Sequence, residues 1–186
     1  TPGFLFEPAI YKAQDTHPEV NFILLDGTPQ DGTYTDFRIE KNVYSVFYAE
    51  EQAGFLAGYG AVKDSYTNLG FMGGMAVPAV VRFGYGFVQG VNYAAKEFGI
   101  RNVKVDYTYL GSFNQSPDIQ TKAASWYING VQVIFVAGGG AGNSVMAAAG
   151  QNNGYVIGVD VDQSGESPTV ITSAMKMIGE SVYNAI

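Results

Sequence analysis

Cysteine is absent from the 186-residue chain, and histidine occurs once, at His17. The first absence excludes disulfide scaffolds, thiol chemistry and zinc fingers. The second excludes metal sites built from several histidines and most histidine-based catalytic triads. We assign no chemistry to His17, which precedes Pro18 in a predicted turn. A functional site in this chain therefore uses groups other than thiols or clustered imidazoles, and we expect no metal and no cofactor.

Long apolar runs and basic residues are also scarce. No apolar run approaches the roughly 20 residues that a transmembrane helix needs. The chain has 10 Lys and Arg residues against 17 Asp and Glu residues, which gives a formal net charge of −7. A nucleic-acid backbone is contacted through a basic patch, so we expect no nucleic-acid partner.

Apolar residues and glycines are plentiful, and their pattern alternates between helix and strand. With 47% hydrophobic residues the chain has ample material for a core. Predicted strands lie at 21–26, 42–48, 68–73, 103–109, 131–137, 155–160 and 169–172. Predicted helices lie at 4–16, 50–62, 80–98, 117–129 and 143–149, and another follows residue 172. Strands separated by long helices indicate βαβ crossovers and a doubly wound parallel sheet in an α/β fold.

The alternation occurs on both sides of a polar stretch at 63–67, which predicts two lobes joined there. We expect residues 1–67 to belong to an N-terminal lobe, 68–172 to form a C-terminal lobe, and 173–186 to return to the first. Small residues recur along the predicted helix at 50–62, from Ala53 to Ala61. This spacing predicts close packing of that helix against a sheet.

A glycine cluster follows the predicted strand at 131–137. In open α/β sheets, ligands bind at the carboxyl ends of strands, which draws attention to Gly138, Gly139 and Gly140. The cluster does not fit a dinucleotide fingerprint, because Asn143 occupies the third glycine position, and no P-loop lysine follows. A tight turn, an anion site and a close backbone approach to an uncharged polar ligand all remain open.

Two carboxylates, Asp160 and Asp162, follow the next predicted strand. At alternate positions of an extended chain they would point the same way. They could act as a catalytic pair, as ligands of a hard cation, as acceptors for ligand hydroxyls, or as helix caps. Lys176 follows the last predicted strand, either as a solvated residue or as a donor to a ligand beside Asp160.

Three more candidates lie near predicted helix starts. Glu50 and Glu51 open a helix, where acidic residues favour the helix dipole without any other function. Phe83 lies near the start of the helix predicted at 80–98, where an aromatic ring either stacks on a flat ligand or packs on the sheet. The sequence leaves Phe83 open and favours packing for Phe87.

Five segments together resemble one known family. They are the Glu-Gln-Ala-Gly-Phe-Leu-Ala-Gly run at 51–58, the segment 70–90, the strand and glycine loop at 129–140, the Ile-Gly-Val-Asp run at 157–160, and the Thr-Ser-Ala-Met-Lys run at 172–176. In this order they are similar to the basic membrane protein family. Its members are substrate-binding lipoproteins of bacterial ABC transporters, and the characterised ones resemble purine nucleoside receptors.

The resemblance implies a periplasmic-binding fold of type I with two lobes, each a doubly wound parallel sheet with helices on both faces. It implies that Asp160 accepts hydrogen bonds from ribose hydroxyls and that Lys176 also contacts the sugar. Phe135 and the loop Gly138 to Gly140 are implied to form a wall for base and ribose, and Glu50 or Glu51 to face the base edge.

The resemblance also implies partners and a location. The expected partners are a nucleoside and ABC permease subunits, and the full-length protein is expected to be extracytoplasmic and lipid-anchored to the bacterial membrane. The family's lipobox, first strand and C-terminal strands have no counterpart here, so we expect a central fragment, truncated at both ends. It should expose an apolar edge, with possible self-association. The alternatives are a nucleoside- or sugar-processing enzyme using Asp160 and Asp162, and a ligand-sensing regulatory domain of the same fold.

Overall fold

A computed structural model describes residues 3–186, and the chain forms two compact units. One unit comprises residues 3–48 together with Met177–Ile186, and the other is Ala49–Lys176. The helices are α1 (Glu7–Thr16), α2 (Glu50–Lys63), α3 (Pro78–Glu97), α4 (Pro117–Ile128), α5 (Ala141–Asn152) and α6 (Ile178–Ala185). The strands are β1 (Phe22–Leu25), β2 (Val43–Val46), β3 (Asn68–Gly73), β4 (Lys104–Tyr109), β5 (Val133–Ala137), β6 (Tyr155–Asp160) and β7 (Val170–Met175).

In the smaller unit, β1 and β2 pair in parallel. Ile10 of α1 packs with Leu24 and Val43 of the two strands in a small core. The long connection from β1 to β2 is fixed by Gln14, a buried side chain whose amide donates to the Arg38 carbonyl and accepts from a backbone N–H. The predicted helix at 4–16 is confirmed from Glu7 onward, after a 3-10 turn at Phe4–Phe6.

The larger unit is a parallel sheet of five strands in the order β4-β3-β5-β6-β7. One face forms a core with α2 and α3 that contains Phe71 and Phe135. The other face forms a core with α4 and α5 that contains Met72 and Ile134. The predicted doubly wound sheet is confirmed, and the continuous apolar run of β5 follows from burial on both faces.

The helices α2 and α3 approach each other through glycines. A Cβ atom added at Gly90 would lie 2.8 Å from the carbonyl carbon of Phe55, and Gly86, Gly54 and Gly58 face opposing backbone in the same way. The small residues of α2 were predicted to pack on a sheet. That expectation was wrong in its main part, because the closest packing is between two helices.

This helix pair also moves the boundary between the units. The polar stretch at 63–67 was expected to mark the crossing, yet α2 lies in the larger unit and the boundary falls between Tyr48 and Ala49. The second boundary falls between Lys176 and Met177, because β7 runs to Met175 and pairs with β6. Hydropathy alone does not reveal this arrangement, because a polar stretch at 63–67 is as compatible with a turn inside one unit as with a link between two units.

No helix formed by residues 3–186 combines the length and the apolar character that crossing a bilayer requires.

Candidate functional site

The order of the strands brings two loops together at the carboxyl edge of the larger unit's sheet. The sheet winds in opposite directions from β3, because β4 lies on one side of it and β5 on the other. The loops after β3 and β5 therefore flank the switch point where open α/β sheets bind ligands. Gly74, after β3, donates its backbone N–H to the carbonyl of Ala137 at the end of β5 at 2.8 Å.

The glycine loop after β5 is shaped by its backbone. Gly139 has a positive φ of 53°, which glycine adopts at little cost, so the tight-turn interpretation applies at this position. Gly138 is buried, whereas Gly139 and Gly140 are exposed just before α5 begins at Ala141. Two residues of the loop thus offer bare backbone to solvent at the edge of the sheet.

Phe113, in the loop after β4, is a candidate that sequence reasoning missed. A Cβ atom at Gly139 would lie 3.8 Å from the side chain of Phe113, and the ring of Phe113 also covers Gly74. The carbonyl of Phe113 accepts a hydrogen bond from Ala141 N at 2.9 Å, which ties this loop to the start of α5. No local motif marks this residue, because only the strand order brings the β4 loop over the switch point.

Asp160 ends β6 with a positive φ of 66°. Its backbone carbonyl accepts from Lys176 N at 2.8 Å, and its side chain is 43% exposed. The chain turns after this residue, so Asp162 does not continue the strand. The carboxylate of Asp162 accepts from the backbone N–H of Ser164 at 2.9 Å, a hydrogen bond that lowers the pKa of Asp162 below its ordinary value.

Lys176 joins two carboxylates just after β7. Its Nζ atom lies 3.1 Å from Asp160 Oδ1 and 3.3 Å from Glu50 Oε1. The same atom lies 5.1 Å from the ring centroid of Phe83, within the range of a cation–π interaction. The Lys176 side chain is 4% exposed, so it is paired within the protein and not solvated. A buried ammonium persists when such partners surround it.

Glu50 is the fully buried member of this charged cluster. Its second oxygen, Oε2, accepts from Arg82 Nε of α3 at 2.6 Å. Glu51 is partly exposed, and its Oε2 atom lies 4.0 Å from the same guanidinium nitrogen. Glu50 therefore lies in an internal ion pair, and Glu51 is the more exposed of the two residues. That Glu50 or Glu51 faces the base edge stays a prediction.

Two aromatic candidates lie in the core. Phe135 has no exposed surface, and its ring contacts those of Phe71, Phe83 and Phe87 at centroid distances of 5.4, 5.7 and 5.3 Å. In this structure the Phe135 ring lies inside the core, and its role in a ligand wall, implied by the family resemblance, stays a prediction. Phe83, 2% exposed, supports Lys176 and the core. The packing role predicted for Phe87 is confirmed, since it has no exposed surface.

The larger unit also has an apolar edge. Strand β7 pairs with β6, and a groove of about 500 Å³ lies between β7 and α2. Leu56, Ile171 and Met175 line this groove, and all three are exposed. Met175 is also the register partner of Asp160 in the pairing of β6 with β7, so the groove adjoins this end of the strand pair. An exposed apolar edge was expected from the sequence.

The protein is of the α/β class with a periplasmic-binding-protein-like fold, and polar groups and bare backbone lie at the carboxyl edge of its parallel strands. The whole chain, residues 1–186, matches the family described as "ABC transporter substrate-binding protein PnrA-like". The chain belongs to this family, the Bmp family of basic membrane proteins.

Curated relatives agree with this assignment. Basic membrane protein D of Borreliella burgdorferi (strain JD1) is 33% identical over 186 residues, which cover 98% of this chain and 52% of the relative. The ABC transporter nucleoside-binding protein BmpA of Lactococcus lactis subsp. cremoris is 32% identical, over 97% of this chain and 53% of the relative. The chain thus spans about half the length of the curated relatives it matches.

Solved structures support the fold. A solute-binding protein of an ABC transporter system from Aeropyrum pernix K1 superposes with a TM-score of 0.79 at 26% identity, over 98% of this chain and 51% of that one. A transcriptional activator of the comK gene from Bacillus halodurans superposes with a TM-score of 0.71 at 21% identity, over 92% of this chain and 55% of that one. The second likeness concerns the fold alone.

Proposed function

We propose that this chain is part of an extracytoplasmic substrate-binding protein that captures a purine nucleoside and delivers it to an ABC permease. The observation that carries the proposal is the half-exposed Asp160 carboxylate, which is held by buried Lys176. Asp160 ends β6, the strand next to β5, whose end is followed by the exposed backbone of Gly139 and Gly140. An ionised carboxylate at a strand end is a suitable acceptor for the paired hydroxyls of a ribose.

In the proposed complex, the ribose lies at one end of the site and the base lies at the other. Asp160 accepts from the ribose hydroxyls, and Lys176 holds Asp160 in place and lies next to the sugar. Phe113 stacks on the base, and the loop Gly138 to Gly140 lets the ligand approach the backbone. Neighbouring strands lie about 4.8 Å apart. The Phe113 ring covers the loops after β3 and β5, and β6, which ends at Asp160, is the strand next to β5.

Two further observations favour a nucleoside over other small polar ligands. One relative, from Lactococcus lactis, carries the name nucleoside-binding protein at 32% identity. The combination of an aromatic ring at one end and a carboxylate at the other matches a flat base joined to a diol. Charge-assisted hydrogen bonds to the diol each contribute about 1.5–3 kcal/mol.

We favour binding without catalysis. A pair of catalytic carboxylates would require one group in an apolar environment that raises its pKa. Asp162 is exposed and its pKa is lowered by the Ser164 backbone, which is the opposite of what a general acid needs. A substrate-binding role within a transporter family accounts for the same carboxylates without a reaction. In the full-length protein we expect a lipid anchor on the outer face of the bacterial cell membrane.

The test is calorimetry of the full-length protein with inosine and guanosine and with 2′,3′-dideoxyinosine, which lacks the ribose diol. We expect Asp160→Asn to weaken inosine binding at least roughly tenfold, the equivalent of one lost charge-assisted hydrogen bond, and to leave dideoxyinosine binding almost unchanged. Asp162→Asn is the matched control, because that carboxylate is bound within its own turn. Equal inosine affinity in the wild type and Asp160→Asn would remove Asp160 from the site, and turnover of inosine would favour an enzyme.

A further inference from the structure

The buried ion pair of the larger unit lies at both points where the chain crosses its boundary. This unit begins at Ala49 and ends at Lys176. Glu50 is therefore one residue inside the first junction, and Lys176 is the last residue before the second. The two side chains meet at 3.3 Å, and their exposed fractions are 0% and 4%. A single ion pair, shielded from water, thus joins the two junction segments.

A third residue fixes this pair from another helix. Arg82 of α3 donates to Glu50 Oε2 at 2.6 Å, while Lys176 occupies Glu50 Oε1. Each oxygen of the Glu50 carboxylate is therefore engaged by a different cation, so the carboxylate cannot rotate without breaking one contact. The Lys176 ammonium is in turn held between Glu50 and Asp160.

We infer that Glu50 and Arg82 are positioning residues, which hold Lys176 against Asp160 and thereby connect the ligand carboxylate to both chain junctions. The inference rests on the proposed function in one respect, that Asp160 binds ligand hydroxyls. Glu50 cannot contact the ligand itself, because it has no exposed surface. Its effect on binding must pass through Lys176.

The consequence for binding follows from how the charges are shared. With Glu50 ionised, the Lys176 ammonium is attracted by two carboxylates, at 3.3 Å and 3.1 Å, and Asp160 keeps capacity for a ligand. Without the charge of Glu50, the ammonium is drawn more strongly towards Asp160 and competes with the ligand hydroxyls for its oxygens. The junction segments also lose the contact that joins them, so their backbone should open more often.

The first experiment needs no ligand. Hydrogen–deuterium exchange of Glu50→Gln and Arg82→Ala should show faster exchange in peptides covering 45–56 and 171–182, by roughly threefold or more, with α4 unchanged. Lys96→Ala on the exposed side of α3 and Asp118→Asn in the first turn of α4 are the controls. Unchanged exchange at both junctions in both variants would overturn the link to the junctions, whatever the ligand is.

The second experiment measures affinity for inosine and dideoxyinosine in the full-length protein. Glu50→Gln and Arg82→Ala should weaken inosine binding roughly tenfold while dideoxyinosine binding changes little. Arg82→Lys should bind inosine more tightly than Arg82→Ala, because it restores the positive charge beside Glu50. A loss that is equal for both nucleosides would indicate a purely structural role and overturn the inference, as would unchanged inosine affinity.

Failure of the proposed function and failure of the positioning role would give different experimental results. If the wild type binds no nucleoside, the proposed function fails and the exchange experiment alone decides the link between the junctions. If the wild type binds inosine and the Arg82 variants bind it equally well, the proposed function stands and the positioning role fails. Arg82 is partly exposed, so its variants provide this test even if Glu50→Gln does not fold.

Discussion

Replacement of Gly90 by alanine tests whether the contact between α2 and α3 determines the stability of the larger unit. The added methyl group would lie 2.8 Å from the carbonyl carbon of Phe55 and 3.0 Å from its Cα atom. Non-bonded carbon atoms normally approach to about 3.5–4.0 Å. The carbonyl oxygen of Phe55 is closer still. The neighbours are backbone atoms of a helix, so no side chain can move aside, and the two helices must separate locally by more than about 1 Å.

The expected magnitude combines two opposing effects. Alanine favours the helix by about 1 kcal/mol relative to glycine. Overpacking costs about 1–3 kcal/mol when side chains can adjust, and more is expected here because backbone opposes the methyl group. We expect the free energy of unfolding of Gly90→Ala to fall by about 2 kcal/mol. Gly60→Ala, on α2, has no atom within 4 Å of its new methyl group and should gain about 0.5–1 kcal/mol instead.

Urea unfolding followed by tryptophan fluorescence measures this difference within the larger unit. The chain contains one tryptophan, Trp126, which lies in α4 of that unit. The signal therefore reports on the larger unit without a contribution from the smaller one. If Gly90→Ala were as stable as the wild type, or if Gly60→Ala were equally destabilised, the close approach of α2 and α3 would not be the cause and the reasoning would be refuted.

Two predictions concern aromatic residues. Phe113→Ala should weaken inosine binding, measured by calorimetry, by about tenfold, because the ring that stacks on the base is lost. Phe113→Tyr keeps the ring and should bind inosine as the wild type does. If the alanine variant binds inosine equally well, the base does not stack on Phe113. Burial raises the pKa of Tyr127, whose hydroxyl donates to the Tyr155 carbonyl at 2.8 Å. Its contribution to stability is therefore present below the unfolded pKa of about 10 and is lost as the pH rises beyond it, at up to about 1.4 kcal/mol per pH unit. In urea unfolding between about pH 9 and 11, the free energy of unfolding should fall less steeply with pH in Tyr127→Phe than in the wild type. An identical pH dependence in the two proteins would show that Tyr127 is not the group responsible.

The helices and strands could be predicted from the sequence because the patterns that indicate them extend over only a few residues. Ser116 caps the start of α4, since its side chain accepts from Ile119 N at 3.3 Å, and serine is a residue type that commonly precedes a helix. The apolar run of β5 indicated burial on both faces, and all five of its residues are buried. The helix predicted at 143–149 extends from Ala141 to Asn152 in the structure, so it begins two residues earlier and ends three residues later than predicted.

The candidate site was harder to predict from the sequence, because the order of the strands brings its residues together. Asp160 and Lys176 were selected as strand-end residues, and their contact follows from the pairing of β6 with β7. Phe113 lacked any such signal. The burial of Phe135 was also not accessible from its position, because alternation along a strand assigns side chains to two faces without saying which face a helix covers.

By itself, the sequence determined which chemistries are possible and which segments form helices and strands. The missing cysteine, the single histidine and the acidic balance are properties of composition, and hydrophobic periodicity acts over a few residues. The tertiary structure decided where charge is buried. Glu50, Arg82 and Lys176 are far apart in sequence, and only the packing of α2 and α3 beside β7 excludes water from their contacts. Burial is a property of the whole assembly of elements, so a glutamate that any helix start would favour became part of an internal ion pair.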